Sequence, residues 1–157
     1  MNASTILQQI KDAKRSHLRW MKSAEDLVEN FIGEEDVSAL RTTTCDFGHW
    51  FYSSGQKLRI IATIGNIMNR IEAHHDDLHD AYASIYHIYF TVPMERPLLK
   101  KVITFNSKKI TKIEREMARV HLKYLKRSSL EILELLGILE HKVGGLAYTE
   151  IAKLSEA

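Results

Sequence analysis

Proline stands at only two places in this chain, Pro93 and Pro97. A proline inside a helix removes a hydrogen bond and collides with the carbonyl four residues back. Long stretches free of it therefore remain open to helix, and apolar residues recur along them with three-and-four spacing. Ile6, Ile10, Ala13, His17, Trp20, Ala24, Leu27 and Phe31 define one helical face. The spacing predicts a helix from about Thr5 to Ile32, capped by Ser4 or Thr5 and ended by Gly33. A second face runs through Ile64, Ile67, Ile71, His75, Leu78, Tyr82, Ile85 and Tyr89 and predicts a helix from about Gln56 to Phe90. The rings of Pro93 and Pro97 should push Val92 and Arg96 out of helical geometry. From about residue 100 the chain should be helical again up to Val143, where Gly144 and Gly145 stop it. That last helix carries two offset seams. One is Ile110, Ile113, Met117, Val120 and Tyr124; the other is Leu122, Leu125, Ser129, Ile132, Leu136, Leu139 and Val143. An offset of this kind lets a helix change packing surface or adds an oligomer contact.

The expected fold is all-α, an antiparallel helical bundle of the four-helix type. A short helix beginning near Thr42–Thr44 should carry Cys45, Phe47, Trp50 and Phe51. Residues 1–143 should form a single domain, and residues 144–157 a tail that adds a last amphipathic turn or frays.

Composition narrows the function. The 157 residues are 45% hydrophobic and 27% charged, a balance suited to a soluble domain with its own core. A net charge of +2 gives no argument for nucleic acid or an acidic membrane surface. The basic clusters Lys108-Lys109 and Lys123–Arg127 read as solvated helix faces. Cys45 is the one cysteine, so no intramolecular disulfide can form, and a reducing compartment is expected. The N-terminus lacks a charged segment followed by an apolar run, and no apolar stretch is long enough to span a bilayer. A cytoplasmic location without membrane insertion is the expectation.

Eight histidines are present, and two are placed unusually. His17 and His75 occupy apolar seams, where a lone histidine most often serves as a core residue bonded to a carbonyl. The pair His75-x-x-x-His79 changes that reading. Residues four apart share one helix face, so two imidazoles can converge on one ion. His17 from the first helix and Cys45 from a helix start supply a third and a fourth soft donor. Three imidazoles and one thiolate make a good tetrahedral zinc set. Glu72-x-x-His75 also has the spacing used in di-iron carboxylate bundles, but those need the motif twice, with further inward glutamates. No second copy is found.

The segments His17-Leu18-Arg19-Trp20, Cys45-Asp46-Phe47-Gly48-His49-Trp50-Phe51-Tyr52 and His75-Asp76-Asp77-Leu78-His79 closely resemble the chemoreceptor zinc-binding domain family. The resemblance covers roughly Ile6 to Phe90. It implies a bacterial cytoplasmic helical domain, often a homodimer, that binds Zn2+ through His17, Cys45, His75 and His79. It also implies a sensory part in chemotaxis or cyclic-di-GMP signalling, with the zinc-bound Cys45 sensitive to oxidants such as hypochlorous acid. This chain carries no cyclase signature and no receptor signalling hairpin, so output should pass through a signalling protein partner or through the C-terminal helix.

Read from chemistry alone, a helix start favours the Cys45 thiolate, and zinc completes its deprotonation. Asp46, Asp76, Asp77 and Asp80 are candidates to orient the ligand imidazoles, though solvated faces account for most of them. Trp20, Trp50 and Phe47 should pack around the site. The alternative is a helical scaffold protein whose zinc is purely structural. No nucleophile–base pair, phosphate loop or paired-carboxylate motif supports an enzyme.

Overall fold

A computed structural model describes residues 2–30, 32–33, 35–95 and 110–156. Three long helices dominate it: α1 (Ala3–Asn30), α3 (Ala62–Tyr86) and α5 (Lys112–Gly144). Short helices are α2 (Asp46–Phe51), α4 (Val92–Glu95) and α6 (Tyr148–Glu156). Every regular element among the described residues is helical.

Side-chain pairs set the directions of the helices. Lys14 meets Glu140 at 2.8 Å, Lys126 meets Glu25 at 2.5 Å and Arg119 meets Glu29 at 3.0 Å, so α5 runs antiparallel to α1. Trp20 meets His79 and Tyr82, and the Tyr89 hydroxyl donates to the Val28 carbonyl at 3.1 Å, so α1 and α3 run parallel. The segment between them must return to the starting end. It does so alongside α3: Glu35 pairs with Tyr86, Ala39 with His79, Cys45 with His75, and Arg59 with Glu72. The bundle is thus up–down–up–down, but its first descending member is an irregular strap of short helices. The four-helix expectation holds for the helical class, while the strap takes the place of a fourth long helix.

Local sequence explains the departures in boundaries. Asn2 caps α1, its Oδ1 accepting from the Thr5 N–H at 2.8 Å and the Thr5 hydroxyl at 2.9 Å, so the helix starts before Ser4 and Thr5. The helix expected from Gln56 begins instead at Ala62, because residues 54–60 wind as a 3-10 helix. Side chains three apart eclipse in that geometry, which puts Gly55, Leu58 and Ile61 on one buried side. Val92 is helical, with φ −54° and ψ −44°, contrary to the expectation that Pro93 would expel it. A π-helical turn over His87–Thr91 precedes it. Widening the helix there moves the carbonyls that the proline ring would strike. Arg96 and Pro97 lie outside the described residues, as does the start expected near residue 100. α5 opens at a capping box, in which Thr111 Oγ1 accepts from the Glu114 N–H at 3.2 Å and Glu114 accepts from the Thr111 N–H at 2.6 Å.

The core lies where α5 packs across α3 and α1. Ile64, Met68, Ile71 and Ile85 of α3 and Leu125, Ile132, Leu136 and Leu139 of α5 are fully buried. Each such side chain contributes roughly 1.5–3 kcal/mol over its exposed state. The other seam of α5 faces outward, with Ile113, Met117, Val120 and Tyr124 all exposed. The chain closes with α6, whose Leu154 is buried in the common core.

Candidate metal centre

Three of the four expected donors meet between the strap and α3. Cys45 Sγ lies 3.4 Å from His75 Nε2, and His75 Nε2 lies 3.0 Å from His79 Nε2. All three donor atoms fall within 4.8 Å of one another. The i,i+4 spacing on α3 stacks the two rings, with centroids 4.5 Å apart.

Cys45 owes its place to the start of α2. It is the N-cap, extended at φ −75° and ψ 155°, and its Sγ accepts from the Gly48 N–H at 3.2 Å. Gly48 is required by close approach. A Cβ there would sit 1.7 Å from the Thr42 carbonyl oxygen and 3.2 Å from Sγ. His79 is aimed from the far side, its Nδ1 lying 2.6 Å from the Ala39 carbonyl oxygen. A carbonyl can only accept, so the ring proton is on Nδ1 and Nε2 presents its lone pair. Asp36 builds the turn that offers this carbonyl, its Oδ1 accepting from the Ser38 N–H at 3.1 Å and the Ala39 N–H at 3.3 Å.

Aromatic rings wall the site as expected for two of the three named. Trp20 stacks on His79 with centroids 5.6 Å apart, and Phe47 sits edge-on to His75 at 4.9 Å and to His17 at 5.8 Å. Trp50 packs against Phe47 and Phe51, one layer further out.

His17 is buried at 2% exposure and lines the same cavity of about 100 Å³ as Cys45, His75 and His79. It is not part of the tight cluster. Its Nε2 lies 2.8 Å from the Ser129 hydroxyl on α5. The carboxylates weighed as orienting groups are placed otherwise. Asp46 lines the cavity, Asp77 lies 4.0 Å from His74, and the proton of His79 goes to a backbone oxygen. Burial, with Glu72, Asp80 and Asp77 nearby, holds the Asp76 carboxyl above its usual range.

Burial sets the protonation states. It pulls His75 down to about 3, helped by His79 and His17, and pulls His17 down to about 4, helped by His79. His79 is also lowered by burial, against the Ala39 carbonyl and the nearby carboxylates of Asp80 and Asp36. All three rings are therefore neutral at physiological pH, the form a metal binds. Cys45 goes the other way. Burial raises its thiol, and the Gly48 and Phe47 amides only partly offset that. The helix expected to begin near Thr42–Thr44 starts at Asp46, with Cys45 as its N-cap, and the effect of that start on the thiol is outweighed.

The donor chemistry fits a soft divalent ion. Sγ and two imidazole nitrogens lie within 4.8 Å of one another around one point. A cation at that point satisfies three lone pairs that cannot all bond to one another. Sequence reasoning passed over two groups at this centre. The Ala39 carbonyl has no side-chain signal. Ser129 had one, since it is a hydroxyl in an otherwise apolar seam.

Residues 17–86 match the family model of the chemoreceptor zinc-binding domain. No curated protein and no solved structure matches the chain.

Proposed function

We propose, from the match of residues 17–86 to the chemoreceptor zinc-binding domain, that the chain is a regulatory module responding to zinc availability or to oxidants. Zinc is the metal of this domain, and Cys45, His75 and His79 form the cluster fit to hold it. In our reading His17 completes the set. The observation that carries it is the convergence of Sγ and two Nε2 atoms in a buried pocket, one ring locked in the donor tautomer by Ala39.

When bound, zinc supplies the positive charge that lets a buried thiol give up its proton. The chain's own residues do the rest. Gly48 brings an N–H to the sulfur, Ala39 turns His79, and Trp20 and Phe47 exclude bulk water. Cys45 is 9% exposed and opens on a cavity large enough for a few water-sized molecules. A thiolate there is open to a small two-electron oxidant such as hypochlorous acid. Sulfur loses two electrons and gains the hydroxyl, chloride leaves, and the product is a sulfenic acid. That sulfur is no longer an anionic donor, so the strap loses a tie to α3. Zinc loss releases the same tie. Either event is a local change that frees a segment linking α1 to α3.

The pathway we propose is of the chemotaxis or cyclic-di-GMP type, in the bacterial cytoplasm, with output through a signalling protein partner. With His17 bound as the proposed fourth ligand, the site would offer no position to a substrate, which supports a role other than catalysis. The outward seam of α5 favours a second reading, a scaffold in which zinc is only structural. Partner binding that is unchanged in Cys45→Ser would support that reading over sensing.

Elemental mass spectrometry of protein purified without chelator or nickel resin tests the centre. The expected result is about one zinc per chain, lost or weakened in Cys45→Ala and His79→Ala. Zinc-free parent protein with full helicity would overturn the reading.

A further inference from the structure

α5 lies beyond the segment that matches the zinc-binding family, yet it sends one polar side chain to the centre. Ser129 is 4% exposed, between the fully buried Leu125 and Ile132 of the same seam. Its Oγ is 2.8 Å from Nε2 of His17. His17 borders the cavity of the other three donors, but neither of its nitrogens joins their cluster.

We propose that Ser129 is a positioning residue that competes with the metal for His17, making His17 an exchangeable fourth ligand and coupling the centre to α5. The inference rests on the zinc reading above. In this proposal Nε2 is the unprotonated nitrogen of His17, and its one lone pair cannot accept the serine proton and bind a metal at once, so the two bonds exclude each other. Turning the ring from Ser129 toward Cys45, His75 and His79 exchanges one for the other. The exchange strands no group on α5, because a helical serine can donate instead to the carbonyl four residues back, here that of Leu125. Metal binding by His17 therefore cuts a buried tie between α1 and α5, and release of His17 restores it. Occupancy of the site is thereby felt by a helix that donates no ligand.

The test is zinc affinity of the full chain, measured by competition with a chromophoric chelator for parent, Ser129→Ala, Ser129→Thr, His17→Ala and the His17→Ala/Ser129→Ala double variant. Circular dichroism first establishes that each is helical. Ser129→Ala removes the competitor and should bind zinc about two- to tenfold more tightly, the value of one hydrogen bond. Ser129→Thr keeps the hydroxyl and should match the parent. His17→Ala should bind more weakly, and adding Ser129→Ala to it should change nothing. Weaker or unchanged binding in Ser129→Ala overturns the proposal, as does an equal gain in the absence of His17. A merely structural serine would give weakening, so the sign of the effect decides. Parent protein that binds no zinc defeats the zinc reading itself, a distinct result.

Discussion

At Gly48 one missing methyl decides whether the centre exists. The α2 start must press its backbone against the Thr42 carbonyl and the Cys45 sulfur together. Gly48→Ala should cost at least the roughly 1–3 kcal/mol of an overpacked core and should lower zinc content. A variant with parent-like thermal midpoint and metal load would refute this. The histidines give a second prediction. The unfolded chain takes up protons near the ordinary value of 6.5, whereas folded His17 and His75 refuse them down to about 4 and about 3. Between those limits the unfolded state binds more protons, so stability falls as pH drops. Chelator-treated protein should unfold at lower urea as pH is taken from 7.5 to 5, with a shallower decline in His75→Gln. Equal slopes in the two proteins would remove His75 as a cause. These side chains were legible in the sequence because they interrupt apolar seams or repeat at helical spacing. The Ala39 carbonyl was not, since every residue carries one and only the Asp36 turn aims it.

Among the elements, the long helices could be read from periodicity, and their ends less well. Asn2 lies before the first periodic residue, and its side chain won the cap over Ser4 and Thr5. The 3-10 course of residues 54–60 satisfies a spacing of three, which a 3.6-residue period imitates over so short a stretch. Pro93 stayed helical through the π turn, a backbone adjustment with no residue signature of its own. The capping box at Thr111 is the clearest local signal for the start of α5. Thr111→Ala should lower global stability by about 1 kcal/mol, read as a shift in the urea midpoint with an unchanged slope. No shift would mean that α5 is held by its seam alone.

For the whole molecule, α5 is the element that joins α1 to α3. Its ion pairs meet α1 from Lys14 to Glu29, and its inner seam fills the core. A chain ended after Glu95 should therefore lose most of its helicity, although it retains every proposed ligand. Retained helicity and zinc in that fragment would show the matched segment folding by itself. We propose that the outer seam of α5 is where two copies meet in the homodimer that the family resemblance implies. Val120→Asp should shift the full chain toward monomer in light scattering at fixed concentration, without loss of zinc; an unchanged mass would place any self-association elsewhere. The offset of the two α5 seams was visible in the sequence, but which one faces inward depends on α1 and α3 together.

The strap has spare length. Between the level of Tyr86 and that of Glu72 it covers the rise of fourteen helical residues, about 21 Å, with twenty-four peptide steps of its own, Glu35 to Arg59. It advances roughly 0.9 Å per residue, where a helix advances about 1.5 Å. A chain with slack can gain or lose a residue by redistributing its turns, whereas α3 has none to give. One residue added between Ser53 and Lys57 should be absorbed before it reaches Cys45. One added between His75 and His79 rotates the second ring by about 100° around the helix axis, away from its partners. The two halves of the centre therefore tolerate change in chain length very differently, one side elastic and the other bound to a fixed pitch.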